Sequence, residues 1–347
     1  MAAISILLIA CEKDDDFGEV SGEGTKYTRG NGVFVINEGN FGHGNASLSF
    51  LDLDSLKMEN QIYYAATRRP LGDVAFSMQI IGSEAWLVVN NSARVEILDL
   101  EDLSQAGSIG GFTSPRFMLP VNDHKAYVSD LYAGHLSIID LASREVSGTI
   151  ELGCSSENLI MAAGKVFVGF WSNFSFPDRQ NNQILVIDPD LDLLIDSLKV
   201  GKEPNSMALD KHGRLWVLCS GGFMGEEVPS LWQIDPQVPG VISSMTFPEI
   251  NSSPTNLCIN GTADTLYFLN QGIYRMPEEA SALPDQPLIS EEEHLFYALA
   301  VDPETSVIYT SDAIDYQQRG LVLRYSPNGA LMDSFQSGII PGRFVFN

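Results

Sequence analysis

The chain has 347 residues, and its 45 acidic and 20 basic side chains give a formal net charge of −25. This charge argues against a nucleic-acid partner and against docking on anionic lipid through a basic patch, since both need a surface rich in Lys and Arg. With 44% hydrophobic residues the chain can form a sizeable core, and no apolar run reaches the ~18–20 residues that a membrane helix needs.

The first eleven residues form a short apolar run that ends in Leu8-Ile9-Ala10-Cys11. The run resembles a bacterial lipobox, in which the Cys is lipidated and becomes the mature N-terminus, although the basic segment that opens a signal peptide is missing. A buried N-terminal strand with an ordinary core Cys is the alternative. We expect residues 1–10 to be a truncated lipoprotein signal, Cys11 to be lipidated, and residues 11–31 to be a flexible acidic tether.

A short element recurs along the rest of the chain: an apolar stretch, then Asp, then Leu or Pro. Successive copies lie 41–50 residues apart, and the last two are degenerate because they lack the Asp. The copies are Phe50–Leu53, Ile97–Leu100, Ile138–Leu141, Val186–Pro189, Gln233–Pro236, Tyr274–Pro277 and Arg324–Pro327.

Each copy follows a short run rich in β-branched and aromatic residues and bounded by Gly, Asn, Asp or Pro, which is the signature of a strand. The best candidate for a helix is Ser290–Val301, but its Phe296–Asp302 part matches the repeat as a strand. The runs are Val33–Asn37, Ala85–Asn90, Ala126–Asp130, Lys165–Phe170, Arg214–Ser220, Thr265–Asn270 and Val307–Asp312.

Each repeat therefore has the length of a four-stranded blade of a β-propeller. One such sheet cannot bury both faces alone, whereas seven sheets stacked radially cover one another. The final residues Pro341–Asn347 match the opening strand of other repeats, and the first repeat begins at its second strand. The sequence thus predicts an all-β fold over residues 32–347. It is a seven-bladed β-propeller with four antiparallel strands per blade, closed by the C-terminal strand in the N-terminal blade.

The linkers between blades carry a polar or hydrogen-bonding side chain at one repeat position. These linkers and the loops between second and third strands share one face, called the top face, where propeller ligands usually bind. Few of these side chains are ionisable, which favours a mouth suited to amides and hydroxyls, although they could instead satisfy backbone groups of turns. The predicted ring consists of Asp73, Arg116, Asn158, Asn205, Asn256, Tyr297 and Arg343.

The loops between second and third strands are longer and more aromatic than hairpins require. Aromatic side chains among Asn and Gly predict apolar and amide contacts with a ligand or partner. The alternative is that these aromatics form a small satellite core under their own loop. The predicted contact residues are Asn40, Phe41, Tyr132, Trp171, Phe174, Phe223 and Tyr316.

Catalysis has little support in the sequence. The 5 histidines are scattered along the repeats without metal-ligand spacing, and nucleophile-elbow, phosphate-loop and dinucleotide-binding patterns are absent. We expect no enzyme, no bound metal and no cofactor. A metal-dependent, lactonase-like hydrolase is kept as an alternative, because the calcium ligands of propeller lactonases could be imitated by Glu38, Asn158, Asn205 and Asp312.

The repeats, the Ile-Asp-Leu/Pro signature and the segment Val33–Asn40 resemble the YncE-like propeller family over residues 32–347. With the lipobox and the acidic cluster Glu12–Asp16, the chain resembles the surface-lipoprotein branch of that family in Bacteroidetes-type bacteria. BtuG-type members of this branch capture cobalamin and cap a TonB-dependent transporter.

The resemblance implies a lipid-anchored outer-membrane protein, exposed at the cell surface, that captures a corrinoid (vitamin B12) on the top face and passes it to the transporter. Neither nucleic acid nor a membrane contact beyond the lipid anchor is expected. No ligand motif of the family matches residue by residue, so the predicted site rests on blade register. A surface module that binds protein or glycan is the alternative.

Overall fold

The computed structural model describes residues 24–347, which form 28 strands and one short helix. The predicted lipobox, Cys11 and tether residues 11–23 lie outside the described part. Within residues 24–347 the strands form seven four-stranded antiparallel sheets arranged in a ring, which confirms the predicted seven-bladed β-propeller. None of the helical structure in this range is long and apolar enough to span a membrane.

The blades follow one another in chain order. Blade 1 contains β1 (Gly32–Asn37), β2 (Ser47–Asp52) and β3 (Lys57–Glu59), and blade 2 contains β4 (Ala75–Ile81), β5 (Glu84–Val89), β6 (Arg94–Asp99) and β7 (Gln105–Ile109). Blade 3 contains β8 (Pro115–Pro120), β9 (Lys125–Asp130), β10 (His135–Asp140) and β11 (Glu145–Glu151). Blade 4 contains β12 (Leu159–Ala162), β13 (Lys165–Phe170), β14 (Gln183–Asp188) and β15 (Leu193–Lys199).

The remaining blades repeat this order. Blade 5 contains β16 (Pro204–Leu209), β17 (Leu215–Cys219), β18 (Ser230–Asp235) and β19 (Gly240–Thr246). Blade 6 contains β20 (Thr255–Ile259), β21 (Thr265–Leu269), β22 (Gly272–Pro277) and β23 (Ile289–Ser290). Blade 7 contains β24 (Phe296–Val301), β25 (Ile308–Asp312), β26 (Arg319–Tyr325) and β27 (Leu331–Ile339), and the last strand is β28 (Pro341–Phe346).

The C-terminal strand closes the ring as predicted. Strand β28 pairs antiparallel with β1, with Val33 opposite Phe346 and Val35 opposite Phe344. Blade 1 therefore has the order β28-β1-β2-β3, and its innermost strand comes from the far end of the chain. Because this pairing joins the two ends of the described chain, the first strand of the ring has no free edge.

A hydrophobic cluster lies between each pair of neighbouring blades in residues 24–347. The clusters follow from the alternation of side chains along a strand. In β1, Phe34 and Ile36 face blade 2, whereas Val33 and Val35 face blade 7. Since both faces of the sheet are buried, these strands are continuously apolar, which is why they are recognisable in the sequence.

The recurring Asp of the repeat has a local structural role. Each closes a third strand, and its carboxylate accepts backbone N–H groups of the turn that follows, an arrangement typical of Asx turns. For example, Asp140 accepts from Ala142 and Ser143, at 3.0 and 2.7 Å. The same bond is made by Asp52, Asp99, Asp188 and Asp235.

The helical structure can be compared with the sequence prediction in two segments. Residues 296–301 form strand β24, so the helix considered over Ser290–Val301 is absent there. Helix α1 (Ile62–Thr67) lies in the linker between blades 1 and 2, and the sequence did not predict it. Its six residues span less than two turns, too short for a helical period to stand out.

Candidate functional site

A cavity of about 1120 Å³ opens on the top face. Its wall combines the beginnings of innermost strands with top-face loops of blades 4, 5 and 6. The volume exceeds the ~300–1,000 Å³ of most small-molecule pockets, so the cavity suits a large ligand.

All the predicted ring residues except Asp73 line this cavity. Arg116, Asn205 and Tyr297 are each the second residue of an innermost strand, so their repeat spacing places them at equivalent positions. In blade 2 the equivalent second residue is Phe76. Asp73 lies outside the lining, where its carboxylate accepts the Gly42 backbone N–H at 2.8 Å. The ring residues in the lining are Arg116, Asn158, Asn205, Asn256, Tyr297 and Arg343.

Of the predicted loop residues, Trp171 and Phe223 line the cavity. The others lie on top-face loops outside its lining. Phe174 is 82% exposed, and its ring lies 6.3 Å from that of Tyr132. The loop residues outside the lining are Asn40, Phe41, Tyr132, Phe174 and Tyr316.

Arg116 and Glu157 form a bidentate ion pair between blades 3 and 4. Arg116 Nε donates to Glu157 Oε2 at 2.8 Å, and Nη2 donates to Oε1 at 2.7 Å. The guanidinium also lies 3.5 Å from the ring centroid of Phe76. Burial by itself would lower the pKa of Arg116, but the Glu157 carboxylate raises it, so the guanidinium stays charged.

A second polar contact joins blades 7 and 1. The Tyr297 hydroxyl donates to Glu38 Oε2 at 3.0 Å, and burial raises the pKa of both groups. Gly342 leaves room for the carboxylate, because a Cβ at that position would lie 2.4 Å from Glu38 Oε1. The ring of Tyr316 packs edge-on against Tyr297, with 5.8 Å between centroids. Tyr316 thus contacts a residue of the wall without lining the cavity itself.

Arg343 lies on the same wall, but its guanidinium contacts aromatic rings and pairs with no carboxylate of residues 24–347. Its guanidinium is 4.5 Å from the ring centroid of Phe117 and 5.0 Å from that of Phe76. Its Nε is buried and has no hydrogen-bond partner within residues 24–347. Burial lowers the pKa of Arg343, since removal from water disfavours the charged form.

Asn205 and Asn256 connect the innermost strands of neighbouring blades. Asn205 Nδ2 donates to the Pro254 carbonyl at 2.9 Å, and Asn256 Nδ2 donates to the Tyr297 carbonyl at 3.0 Å. These two amides therefore satisfy backbone groups across blade boundaries. Each keeps its place on the cavity wall as well.

Glutamates on the cavity wall were not predicted as a group. Glu157 stands one residue before the ring residue of its blade and Glu203 two residues before, so an acidic residue just ahead of the innermost strand was the available signal. Their presence makes the wall more ionic than the predicted ring. The lining glutamates are Glu38, Glu157, Glu203 and Glu291.

The residues considered as calcium ligands are only partly together. Asp312 lies outside the lining and accepts the backbone N–H of Leu295 at 3.0 Å, with the His294 ring 2.7 Å from its other oxygen. The Arg343 guanidinium, which forms no ion pair within residues 24–347, shares the wall with the remaining candidates, and its positive charge opposes a divalent cation.

A separate cluster of potential metal ligands lies away from the cavity, where donor atoms of His212, Glu278 and Glu279 come within 4.8 Å of one another. Glu278 is already matched by cations, with Arg214 Nη2 at 2.6 Å and Lys211 Nζ at 2.9 Å. These ion pairs compete with a metal for the same carboxylate.

Residues 31–338 match the family model described as "Domain of unknown function (DUF5074)". The chain belongs to the DUF5074 family. No curated protein matches this DUF5074 protein. The predicted resemblance to YncE-like propellers is confirmed as to fold by its structural neighbours.

One similar structure is a quinonprotein alcohol dehydrogenase-like protein from Bacteroides thetaiotaomicron. It has a TM-score of 0.70 and 15% identity, covering 91% of this chain and 78% of that one. Hydrazine synthase of Kuenenia stuttgartiensis has a TM-score of 0.60 and 14% identity, covering 77% and 88%. Virginiamycin B lyase from Staphylococcus aureus has a TM-score of 0.58 and 11% identity, covering 76% and 84%. At these identities the likeness concerns the fold.

Proposed function

We propose that this DUF5074 protein captures a large small-molecule ligand in the top-face cavity without transforming it, and that the ligand is a corrinoid. The observation that carries the proposal is the cavity itself, about 1120 Å³ with aromatic, amide and charged side chains on one wall. The innermost strands hold the ring residues of this wall, so that part of the site is organised before a ligand arrives.

The chemistry of the lining matches a corrinoid. Trp171 and Phe223 offer apolar surfaces for the faces of a macrocycle, and Phe223 is 92% exposed. Asn251, Asn270 and Gln271 lie on the same lining. Their amides can exchange hydrogen bonds with the many amide side chains of a corrinoid.

The path of the chain supports capture at a cell surface. Thr25 donates to the Leu100 carbonyl at 3.3 Å, and Tyr27 packs against Phe50 with 5.0 Å between ring centroids. Leu100 follows β6 and Gly32 begins β1, so residues 24–31 meet the propeller on the face opposite the cavity. An anchor at Cys11 would thus leave the cavity free to meet a TonB-dependent transporter of the outer membrane.

Calorimetric titration of the full chain with cyanocobalamin tests the proposal. We expect one ligand per chain, and we expect Phe223→Ala to weaken binding roughly tenfold or more, because aromatic side chains dominate such contacts. Phe174→Ala is the matched control, since Phe174 is as exposed but outside the lining, and it should keep wild-type affinity. Absence of heat with both cyanocobalamin and dicyanocobinamide would end the corrinoid assignment.

A second candidate function is docking of a protein partner on the top face. Exposed apolar side chains at its loop tips support it, since such groups mark interaction surfaces. If cyanocobalamin gives no heat, while Phe41→Ser with Phe174→Ser abolishes binding to a purified TonB-dependent transporter, docking replaces ligand capture. The exposed loop side chains are Phe41, Phe174, Phe223, Met224 and Ile250.

A further inference from the structure

Two arginines line the cavity, and only one of them has a partner. Arg116 is engaged by Glu157 through two parallel N–H···O bonds. Arg343 forms no ion pair and no side-chain hydrogen bond within residues 24–347, and its Nε is fully enclosed. The wall thus carries one neutralised cation and one cation whose donors are unmatched.

The guanidinium of Arg343 is nevertheless fixed in place. The rings of Phe117 and Phe76 lie 4.5 and 5.0 Å from it, on strands of blades 3 and 2. These contacts stabilise the cation and restrict its rotation. Its planar fork is therefore presented to the cavity with little conformational entropy left to lose on binding.

Burying an unpaired cation is costly, and folded proteins rarely leave such a group unmatched. The Glu38 carboxylate raises the pKa of Arg343 against the larger, opposite effect of burial, but it makes no hydrogen bond to that guanidinium, and its Oε2 accepts the Tyr297 hydroxyl. A ligand in the cavity can supply an acceptor for the donors of Arg343 that line it. A guanidinium fork matches the two oxygens of a carboxylate or a phosphate ester.

The net charge of −25 repels free anions from the protein as a whole. An anion reaches Arg343 most favourably as part of a larger molecule that gains further contacts with Trp171 and Phe223. We propose that Arg343 binds an anionic group, a carboxylate or a phosphate ester, on the ligand of this cavity. The inference rests on the proposed function in that it requires a ligand in the cavity.

The test uses three small aromatic probes: phenyl phosphate, benzoate and neutral benzamide. Binding is followed through the NMR signal of the Trp171 indole N–H, assigned with Trp171→Phe. We expect saturable shifts with an anion and much weaker ones with benzamide. Arg343→Met should weaken anion binding roughly tenfold or more. Arg69→Met, at an exposed arginine outside the lining, should leave it unchanged. The tighter anion identifies the group as phosphate or carboxylate.

Stability separates a binding role from a structural one. Removing an unmatched buried charge should leave the melting temperature of Arg343→Met equal to or above that of the wild type. Unchanged anion affinity in Arg343→Met overturns the proposal, as does benzamide binding as tightly as the anions. If Arg343→Met does not fold, Arg343→Lys replaces it: weaker anion binding supports the guanidinium fork, and wild-type affinity overturns it.

The two proposals fail separately. If cyanocobalamin does not bind but the anion probes require Arg343, the corrinoid assignment is lost and the anion site stands. If cyanocobalamin binds and Arg343→Met binds the anion probes with wild-type affinity, ligand capture stands and the anion site is lost.

Discussion

Asp210 shows how a single buried carboxylate organises this fold. It is 4% exposed, and its Oδ2 accepts Trp216 Nε1 at 2.9 Å and Arg214 Nε at 2.8 Å. Its Oδ1 accepts the backbone N–H groups of His212 and Arg214. Burial alone would raise the pKa of Asp210, but these hydrogen bonds together lower it. The carboxylate therefore fixes both a turn and a core indole.

Replacing this carboxylate should make the free energy of unfolding depend less on pH in the acidic range. A carboxyl group whose pKa is lower in the folded chain than in the unfolded chain stabilises the folded state at pH values above its unfolded pKa of about 3.9. This contribution is lost as the pH falls through the folded pKa. We expect Asp210→Asn to lower the free energy of unfolding by roughly 1–3 kcal/mol near neutral pH, and the deficit to shrink on acidification. Urea denaturation over a pH series measures it.

Asp235→Asn is the control for that series. Asp235 is partly exposed and caps a turn through its Oδ1, a role that an amide oxygen can also fill. Its substitution should cost little at any pH. A deficit for Asp210→Asn that stays constant down to the acid limit would contradict the role given to the charge.

The sequence predicted which residues lie on the cavity wall better than it predicted the ion pairs and hydrogen bonds between them. Repeat spacing placed Arg116 and Asn205 correctly, because it reports strand register. It placed Asp73 at the ring position of blade 2, where the wall has Phe76, because the spacing between ring positions varies from blade to blade by more than these three residues. The ion pair between Glu157 and Arg116 joins two blades. It depends on how those blades pack, and the spacing of residues along the chain carries no information about that packing.

At the scale of elements, the strands that can be recognised in the sequence are those whose two faces are both buried. Strand β13 (Lys165–Phe170) is almost entirely buried, and the sequence predicted its bounds. The outermost strand β11 of blade 3 is mostly exposed, and it mixes Glu, Ser and Thr with few apolar residues. An outer strand meets solvent, so its sequence has no need of a continuous apolar run.

Neighbouring blades also meet through the turns on the face opposite the cavity. Gly261, in the turn between β20 and β21, packs on the turn of blade 7, where a Cβ would lie 1.6 Å from the Pro303 carbonyl oxygen. Gly261→Ala should therefore lower the free energy of unfolding by roughly 1–3 kcal/mol, as overpacking does. Thermal denaturation measures the effect.

Gly110 provides the matched control, because it lies in the linker before β8, where a Cβ would meet only open space and the backbone angle is not left-handed. Gly110→Ala should change stability by less than ~0.5 kcal/mol. Equal melting temperatures for the two variants would show that the turns can separate without cost.

At the scale of the whole molecule, ring closure and the cavity depend on the same strand. Strand β28 seals the ring against β1, and it also carries Gly342 and Arg343 to the cavity wall. Its Phe344 and Phe346 pack on Tyr309 of blade 7, with centroid distances of 5.9 and 5.2 Å. The site is thus completed only when the last residues of the chain have joined the first blade.

Deleting Arg343–Asn347 should consequently unfold the protein or cause it to oligomerise, because β1 would lose one of its two partner strands and expose an unpaired edge. Deleting Asn347 alone keeps all six residues of β28 and serves as the control. Light scattering after size exclusion reports the mass, and thermal denaturation reports the stability. A truncated chain that stays monomeric with an unchanged melting temperature would show that seven blades hold together without the closing strand.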